Sequence, residues 1–306
     1  MNSVISSHSP QAVSQAVSVL DAGGLVGLPT ETVYGLAARA DIDAAVANIF
    51  RAKGRPTGHP LILHIADISE LDRYALNVPS AALTLAQHCW PGPLTLLLYK
   101  TKAVSHLVTG GRETVAIRIP ANECSRKIIE QCGNALAAPS ANLFGHVSPT
   151  TAQHVLNDLG DKVDLIVDDG DCTIGVESTI VDFTTAQPQL LRPGGFPTED
   201  LELIIGQPIL MPSGDSRASG MLDSHYAPKC TVVLAETIAE AKQALSEHDS
   251  ARILEHWDNS PLYAASLYTQ MRQADSDGIT AIIAVLPNTS GLGLAIRDRL
   301  NKASFL

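Results

Sequence analysis

The sequence predicts an α/β protein in two parts, a sheet domain with flanking helices over the first two thirds and a small doubly wound domain behind it. Three observations carry that expectation. Short apolar runs of strand length alternate with segments of helical periodicity as far as Arg192. Residues 206–230 then hold Gly206, Pro208, Pro212, Ser213, Gly214, Ser216, Ser219, Gly220 and Pro228 with little periodicity, the composition of a linker. Beyond it, strand-then-helix repeats follow one another to the end. The expected boundaries are 1–205, 206–230 and 231–306.

In chain order, Ser9 and Pro10 read as N-cap and first helical residue, followed by Val13, Ala16, Val17 and Leu20 on one face and closed by Gly23-Gly24. The run Leu25-Val26-Gly27-Leu28 is a strand entering the polar turn Pro29-Thr30-Glu31-Thr32. A capped helix over 41–53 groups Ala45, Val46, Ile49 and Phe50, and a buried strand covers 61–65. Further strands are expected at 94–99, 114–119, 135–138, 163–167 and 176–183, and helices at 80–90, 123–132 and, behind Ser148-Pro149, 149–159. In the second part, strands at 231–235, 251–254 and 279–286 alternate with helices at 236–247, 261–274 and 292–301.

A chain of 306 residues with 45% apolar content closes a core without staples and is no disordered segment. Its 32 acids against 21 Lys and Arg give a net −11, and aromatics are only 4%. Both disfavour a dedicated nucleic-acid binder, which draws affinity from phosphate neutralisation and stacking. Cys89, Cys124, Cys132, Cys172 and Cys230 are odd in number, scattered and without a C-x-x-C pair, so reduced thiols are expected. The opening MNSVISSHSP has no basic region or apolar run of a signal peptide, and no stretch approaches the ~18 apolar residues of a membrane span. A cytoplasmic protein without a membrane partner is expected.

Common catalytic signatures are absent: no G-x-x-x-x-G-K-[ST], no H-E-x-x-H, no G-x-S-x-G. Gly291-Leu292-Gly293 begins like a dinucleotide fingerprint but reaches Ile296 where the third glycine belongs. The segment from Lys53 to Pro60 places Lys53 and Arg55 in a loop of two glycines and two prolines. Two readings stand there. The cations could hold an oligophosphate or carboxylate, or Lys53 could cap the helix C-terminus with Arg55 solvated. Charge is uneven: residues 51–127 hold ten Lys and Arg and five acids, a local +5, leaving eleven cations against 27 acids elsewhere, a net −16. Such an island suits an anion.

Arg118 lies inside the apolar pattern Thr114-Val115-Ala116-Ile117-Arg118-Ile119, which places it at a sheet edge or in a pocket with an acid partner. Ala137-Ala138-Pro139-Ser140-Ala141-Asn142 leaves a strand, and Ser148-Pro149-Thr150-Thr151 opens a helix whose backbone amides could hold phosphate or serve only as a cap. Glu177-Ser178 and Leu191-Arg192-Pro193 add two more polar strand ends. Several strand ends each presenting one small polar or cationic group suggest a pocket.

Together these motifs resemble the YrdC/Sua5 family in its two-domain form. The resemblance rests on Pro29 through Leu36, the Lys53-x-Arg55-Pro56 loop with His64, Trp90 through Thr95, Arg118-Ile119-Pro120, Ala138 through Asn142, Ser148-Pro149-Thr150, Glu177-Ser178-Thr179 and Leu191 through Gly194. Ser219-Gly220-Met221 with His225-Tyr226-Ala227-Pro228 is similar to that family's linker, and Gly291 through Leu300 to its C-terminal end. It implies a YrdC-like twisted mixed sheet with flanking helices, plus a small Rossmann-like βαβ C-terminal domain. It implies a nucleotidyltransferase that makes threonylcarbamoyl-AMP and pyrophosphate from L-threonine, bicarbonate or CO2, and ATP, for a separate transferase that installs t6A in tRNA. By resemblance, Lys53 and Arg55 are catalytic; Thr32, His64, Arg118, Ala138 and Ser178 contact L-threonine; and Arg55, His59, Thr114, Ser140, Ser148, Arg192 and Tyr226 hold ATP. Many family members have Asn where this chain has His59. Mg2+ is expected through the ATP phosphates rather than a protein metal site, direct tRNA binding is expected to be weak or absent, and residues 206–230 are expected to fold over the site. The alternatives are a carbamoyl-adenylate module of the hydrogenase-maturation kind and an RNA-binding or ribosome-associated protein.

Overall fold

The computed structural model describes residues 3–212, 217–218 and 226–304; Ser219, Gly220, Met221 and His225, with the rest of 213–216 and 219–225 in the expected covering segment, lie outside them. In chain order the first unit carries β1 (Ser3–Ser6), α1 (Ala12–Asp21), β2 (Val26–Leu28), β3 (Gly35–Arg39), α2 (Asp43–Lys53), β4 (Ile62–His64), α3 (Leu71–Tyr74), β5 (Ala75–Leu76), α4 (Ser80–Cys89), β6 (Leu94–Lys100), α5 (His106–Thr109), β7 (Thr114–Arg118), α6 (Glu123–Cys132), β8 (Leu136–Ala137), α7 (Ala152–Leu159), β9 (Leu165–Asp168), β10 (Thr179–Asp182), β11 (Gln189–Arg192) and α8 (Thr198–Ile205). The second unit carries β12 (Thr231–Ala235), α9 (Ile238–Ser246), β13 (Ala251–Ile253), α10 (Ser260–Ser276), β14 (Ala281–Val285) and α11 (Gly293–Ser304).

The larger sheet runs β1-β9-β2-β3-β8-β4-β7-β6-β10-β11, with β5 paired to β6. It is mixed: β4 and β7 are parallel, β6 and β7 antiparallel, β6 and β10 parallel. The β4–β7 register sets His64 opposite Arg118, so the last residues of two neighbouring strands stand side by side at one end of the sheet. The smaller sheet is wholly parallel with order β12-β14-β13, the third strand lying between the first two.

The main core lies under α2, α4 and the middle strands and includes Leu36, Ile49, Leu63, Leu85, Leu96 and Ile117. A second core is shared between the units. It joins Val33, Val147 and Val176 of the first to Tyr226, Tyr263, Leu267, Tyr268 and Met271. Burial of that apolar surface fixes the second unit against the end of the larger sheet where His64 and Arg118 stand.

Three expectations are corrected, and one strand had not been expected. The first helix begins at Ala12, after a turn in which Ser9 accepts the Ala12 amide through its carbonyl and the Gln11 amide through its hydroxyl. Helix α7 begins at Ala152 with the Thr151 hydroxyl capping the His154 amide, so Ser148 and Pro149 lie outside it and supply no helix N-terminus. Strand β10 begins at Thr179, leaving Glu177 and Ser178 in the connection before it. Strand β3 lacked a signal because Gly35-Leu36-Ala37-Ala38-Arg39 has no β-branched residue; burial rather than propensity holds it extended.

Candidate active site

Strands β4, β7 and β11 end at one end of the larger sheet and the oppositely directed β2 and β8 at the other, and residues of these strands with the turns after them line one open cleft. Among the described residues, Lys53, Arg55, Arg118 and Arg192 line it against a single carboxylate, Glu177. The surplus of positive charge is built for an anion, and low solvent exposure of these groups strengthens its pull.

Arg118 is held by three bonds. Its Nε donates to the Gly92 carbonyl at 3.1 Å, Nη1 to the Thr32 hydroxyl at 2.8 Å and Nη2 to Glu31 Oε1 at 2.5 Å. Glu31 is tied down by the Ala121 amide at its other oxygen. A guanidinium has five N–H groups, so one on each terminal nitrogen remains beyond these bonds, the geometry that grips a carboxylate. Glu31 is the acid partner the strand pattern called for.

His64 stands beside it, its Nδ1 3.3 Å from the Ile62 carbonyl. Burial first, and then the adjacent Arg118, lower its pKa to about 3. The ring is neutral, and the tautomer that satisfies Ile62 leaves Nε2 as an acceptor. This carries a stability consequence. The unfolded His64 takes a proton below its ordinary 6.5 while the native one resists it down to about 3. The unfolded state therefore binds more protons in that window, and stability falls as pH drops through it. Relative to pH 7, wild type at pH 4.5 is expected to lose roughly 2 kcal/mol more than His64→Gln, read from denaturant midpoints at the two pH values.

The reading of Lys53 as a helix cap with Arg55 solvated is corrected. Lys53 ends α2, and Gly54 follows in the left-handed conformation at φ 64°. Its Nζ turns inward, donating to the Ser140 carbonyl at 2.5 Å, to the Asn142 carbonyl and to Asn142 Oδ1 at 3.3 Å. Burial, then Arg55, pushes its pKa down, yet three oxygens around one nitrogen match the three N–H groups of the ammonium. Lys53 thus ties the end of α2 to the Ser140–Asn142 turn while remaining in the cleft wall. Arg55 is buried rather than solvated, its Nη2 donating to the Pro60 carbonyl at 2.9 Å and its guanidinium 5.6 Å from the Phe144 ring centre.

Across the cleft, Arg192 donates from Nε and Nη2 to the Ser178 carbonyl at 3.1 and 2.9 Å, and from Nη2 to the Ser178 hydroxyl at 3.1 Å. Thr95 reaches the same hydroxyl at 2.7 Å. Glu177 accepts from the Ser148 hydroxyl at 2.6 Å, the Tyr268 hydroxyl at 2.9 Å and Arg299 Nε at 2.7 Å. Burial alone would raise its pKa, but Arg299, Arg192 and these donors hold it near 2, so it is a carboxylate.

Of the residues singled out in the sequence, Thr32, Lys53, Arg55, His64, Arg118, Ala138, Ser140, Ser178, Arg192 and Tyr226 line this one cleft. His59, Thr114 and Ser148 do not. His59 packs against Phe144 with ring centres 5.3 Å apart, Thr114 sits at the far end of β7, and the fully buried Ser148 is committed to Glu177. Glu31, Asn142, Tyr268 and Arg299 carried no individual expectation, while Glu177, expected as a polar strand end at a pocket, does line the cleft. From the connecting segment, Ala218 packs on Ile62, Ala116, Ile180 and Leu191, while Arg217 pairs with Asp182 at 2.8 Å. That stretch therefore crosses the sheet face next to the cleft. Among the described residues, no cluster of His, Cys, Asp or Glu could hold a metal ion, and no helix is long and apolar enough to cross a membrane.

Fold and cleft define an α/β protein whose buried cations suit a small anionic molecule and whose cleft, among the described residues, pairs no nucleophile with a base for covalent catalysis. Comparison with known proteins narrows this. The family model described as "Telomere recombination", Sua5_yciO_yrdC, matches residues 18–194, and that described as "Threonylcarbamoyl-AMP synthase, C-terminal domain" matches residues 197–304. The chain is 41% identical to the threonylcarbamoyl-AMP synthase of Pyrococcus abyssi over 94% of this chain and 93% of that one, and 40% identical to that of Bacillus subtilis over 98% and 94%. The crystal structure of P. abyssi Sua5 complexed with L-threonine superposes with a TM-score of 0.92 at 38% identity, covering 99% of this chain and 97% of the other. The chain belongs to the Sua5/YciO/YrdC family and has the additional Sua5 C-terminal domain.

Proposed function

We infer that this protein is a threonylcarbamoyl-AMP synthase, a nucleotidyltransferase joining L-threonine, bicarbonate or CO2 and ATP into threonylcarbamoyl-AMP with release of pyrophosphate. The observation that carries the reading is one cleft that brings Arg118 beside a neutral His64 together with a second set of cations, Lys53, Arg55 and Arg192. An amino-acid carboxylate suits the first and a triphosphate the second.

The chemistry follows from that division. The threonine amine adds to CO2 and loses a proton, giving a carbamate. A carbamate oxygen then attacks the α-phosphorus of ATP as the bond to the β-phosphate bridging oxygen breaks, and the electron pair leaves with pyrophosphate. No enzyme nucleophile is needed, so catalysis rests on positioning and charge neutralisation. Arg118 would take the threonine carboxylate, with Thr32, Ala138 and Ser178 completing that pocket and His64 Nε2 accepting a hydrogen bond. Arg55, assisted by Lys53 through the Ser140 turn it holds, would offset the charge developing on pyrophosphate, with Ser140, Arg192 and Tyr226 on the nucleotide and His59, Thr114 and Ser148 behind them. Mg2+ would enter on the triphosphate oxygens, because Glu31 and Glu177 are both committed to protein donors.

On this reading residues 1–205 carry the reaction, 206–230 connect and partly cover it, and 231–306 form the second domain. The five unpaired cysteines support a cytoplasmic setting, and the product would supply a t6A transferase. An RNA-gripping role is disfavoured, since Arg55, Arg118 and Arg192 are 8%, 4% and 4% exposed and cannot reach a polymer backbone. Purified protein given ATP, L-threonine and bicarbonate is expected to yield a nucleotide whose mass is that of AMP joined to carbamoylated threonine. Recovery of AMP or ADP alone, with no threonine in the nucleotide, would remove this function.

A further inference from the structure

Arg299, in the last helix of the second domain, reaches three separate pieces of the cleft wall although it lines none of the cleft itself. Its Nε pairs with Glu177 at 2.7 Å, Nη2 donates to the Pro193 carbonyl at 3.0 Å, and its guanidinium lies 5.0 Å from the ring centre of Tyr226. Pro193 follows Arg192, Glu177 precedes Ser178, and Tyr226 closes one side of the cleft. Arg299 is fully buried, with Asp298 as a second acidic partner. From α10, Tyr268 adds its hydroxyl to the same Glu177 and stacks on Tyr226 with ring centres 5.8 Å apart.

The backbone is shaped for this docking. Gly175, at φ 77°, lies so close to α10 that a Cβ there would stand 2.4 Å from the Ala264 carbonyl oxygen. The connection leading into Glu177 and Ser178 is therefore pressed against the second domain without an intervening side chain. Every oxygen of Glu177 is used by a protein donor, so its carboxylate serves to hold rather than to bind. Removing the cation from such a pair leaves a buried charge free to pull its neighbours out of place.

We propose that Arg299 is a positioning residue for the nucleotide side of the cleft: through Glu177, Pro193 and Tyr226 it sets Ser148, Ser178 and Arg192, and the second domain thereby completes the site rather than only covering it. This rests on the synthase reading. The linkage falls mainly on ATP, because Arg192 and Tyr226 belong to the nucleotide side and, of the residues assigned to threonine, only Ser178 adjoins what Arg299 holds, while Arg118 and His64 stand on β7 and β4. Arg299→Ala and Arg299→Lys are compared with wild type for the KM of ATP and the KM of L-threonine in pyrophosphate release, and for binding of a non-hydrolysable ATP analogue by calorimetry. Arg299→Ala is expected to raise the KM and the analogue Kd for ATP about tenfold or more, and the KM for threonine by much less. Lysine, which keeps the charge but not the fork, is expected to recover only part of the loss and to remain folded if the alanine variant does not. A purely structural role would reduce the folded fraction, lowering the rate per mole with both KM values unchanged, and that result overturns the proposal. Wild type that releases no pyrophosphate overturns the synthase reading instead, while the analogue titration still reports on Arg299.

Discussion

Replacement of Arg118 by alanine is expected to raise the dissociation constant for L-threonine by about two to three orders of magnitude, while ATP binding changes little. Two losses add. The two remaining N–H groups of its terminal nitrogens go, and with them a bidentate, charge-assisted grip on a carboxylate in a buried site. Glu31, paired to Arg118 at 2.5 Å and otherwise held only by a backbone amide, then becomes an uncompensated negative charge where the substrate carboxylate must sit. Lysine is a poor substitute, because a single ammonium cannot serve Gly92, Thr32, Glu31 and a ligand together. Calorimetric titration of threonine into wild type, Arg118→Ala and Arg118→Lys checks this. A variant that binds threonine as wild type does would move the carboxylate site elsewhere.

The second large effect is at Arg55. Arg55→Ala is expected to lower kcat/KM for ATP by about a thousandfold with threonine affinity nearly unchanged, since removal of one preorganised charge from a water-poor site costs rate in that range. The guanidinium is 8% exposed and its pKa, though lowered by burial to about 10, keeps it charged at neutral pH. Its position is set by the Pro60 carbonyl and the Phe144 ring, neither of which depends on substrate, so the charge is in place before the nucleotide arrives. Steady-state pyrophosphate release with ATP varied at saturating threonine makes the comparison. A rise in the threonine KM with ATP kinetics intact would place Arg55 on the wrong side of the cleft.

The parts of this architecture that were legible in the sequence are those written in one stretch of chain. The parallel repeats after residue 230 showed as apolar runs and helical faces, and the strand ends showed as polar residues breaking such runs, as at Arg118 and Arg192. Local spacing could not show which oxygens a cation meets. Lys53 is spent on the Ser140 and Asn142 carbonyls some ninety positions away, a contact made only when β8 is folded beside α2. Glu31 was in plain view in the Pro29–Thr32 turn, but its pairing with Arg118 is 87 positions long and depends on how that turn and β7 meet in the folded sheet. The same is true of Ser148, where the serine-proline pair imitates a helix start and the real cap is Thr151.

Arg299 did leave a signal. It falls on the apolar face of the last helix, in register with Ala295, Ile296, Leu300 and Ala303, all buried. A cation at that spacing must find an acid inside the protein. Which acid could not be told, because Glu177 is 122 positions away, in the connection leading into β10 of the first unit. Cooperation between the two domains is thus invisible to motif reading even where each motif is plain.

The central claim is that one cleft receives threonine and ATP together and that pyrophosphate leaves only when a carbamate is present to attack. Pyrophosphate release measured with ATP and Mg2+ alone, with threonine added, with bicarbonate added and with both, in CO2-depleted buffer, tests it most directly. Release is expected only with both. Release at the same rate without threonine would contradict the account, because Arg118 and His64 would then face a substrate the reaction does not require.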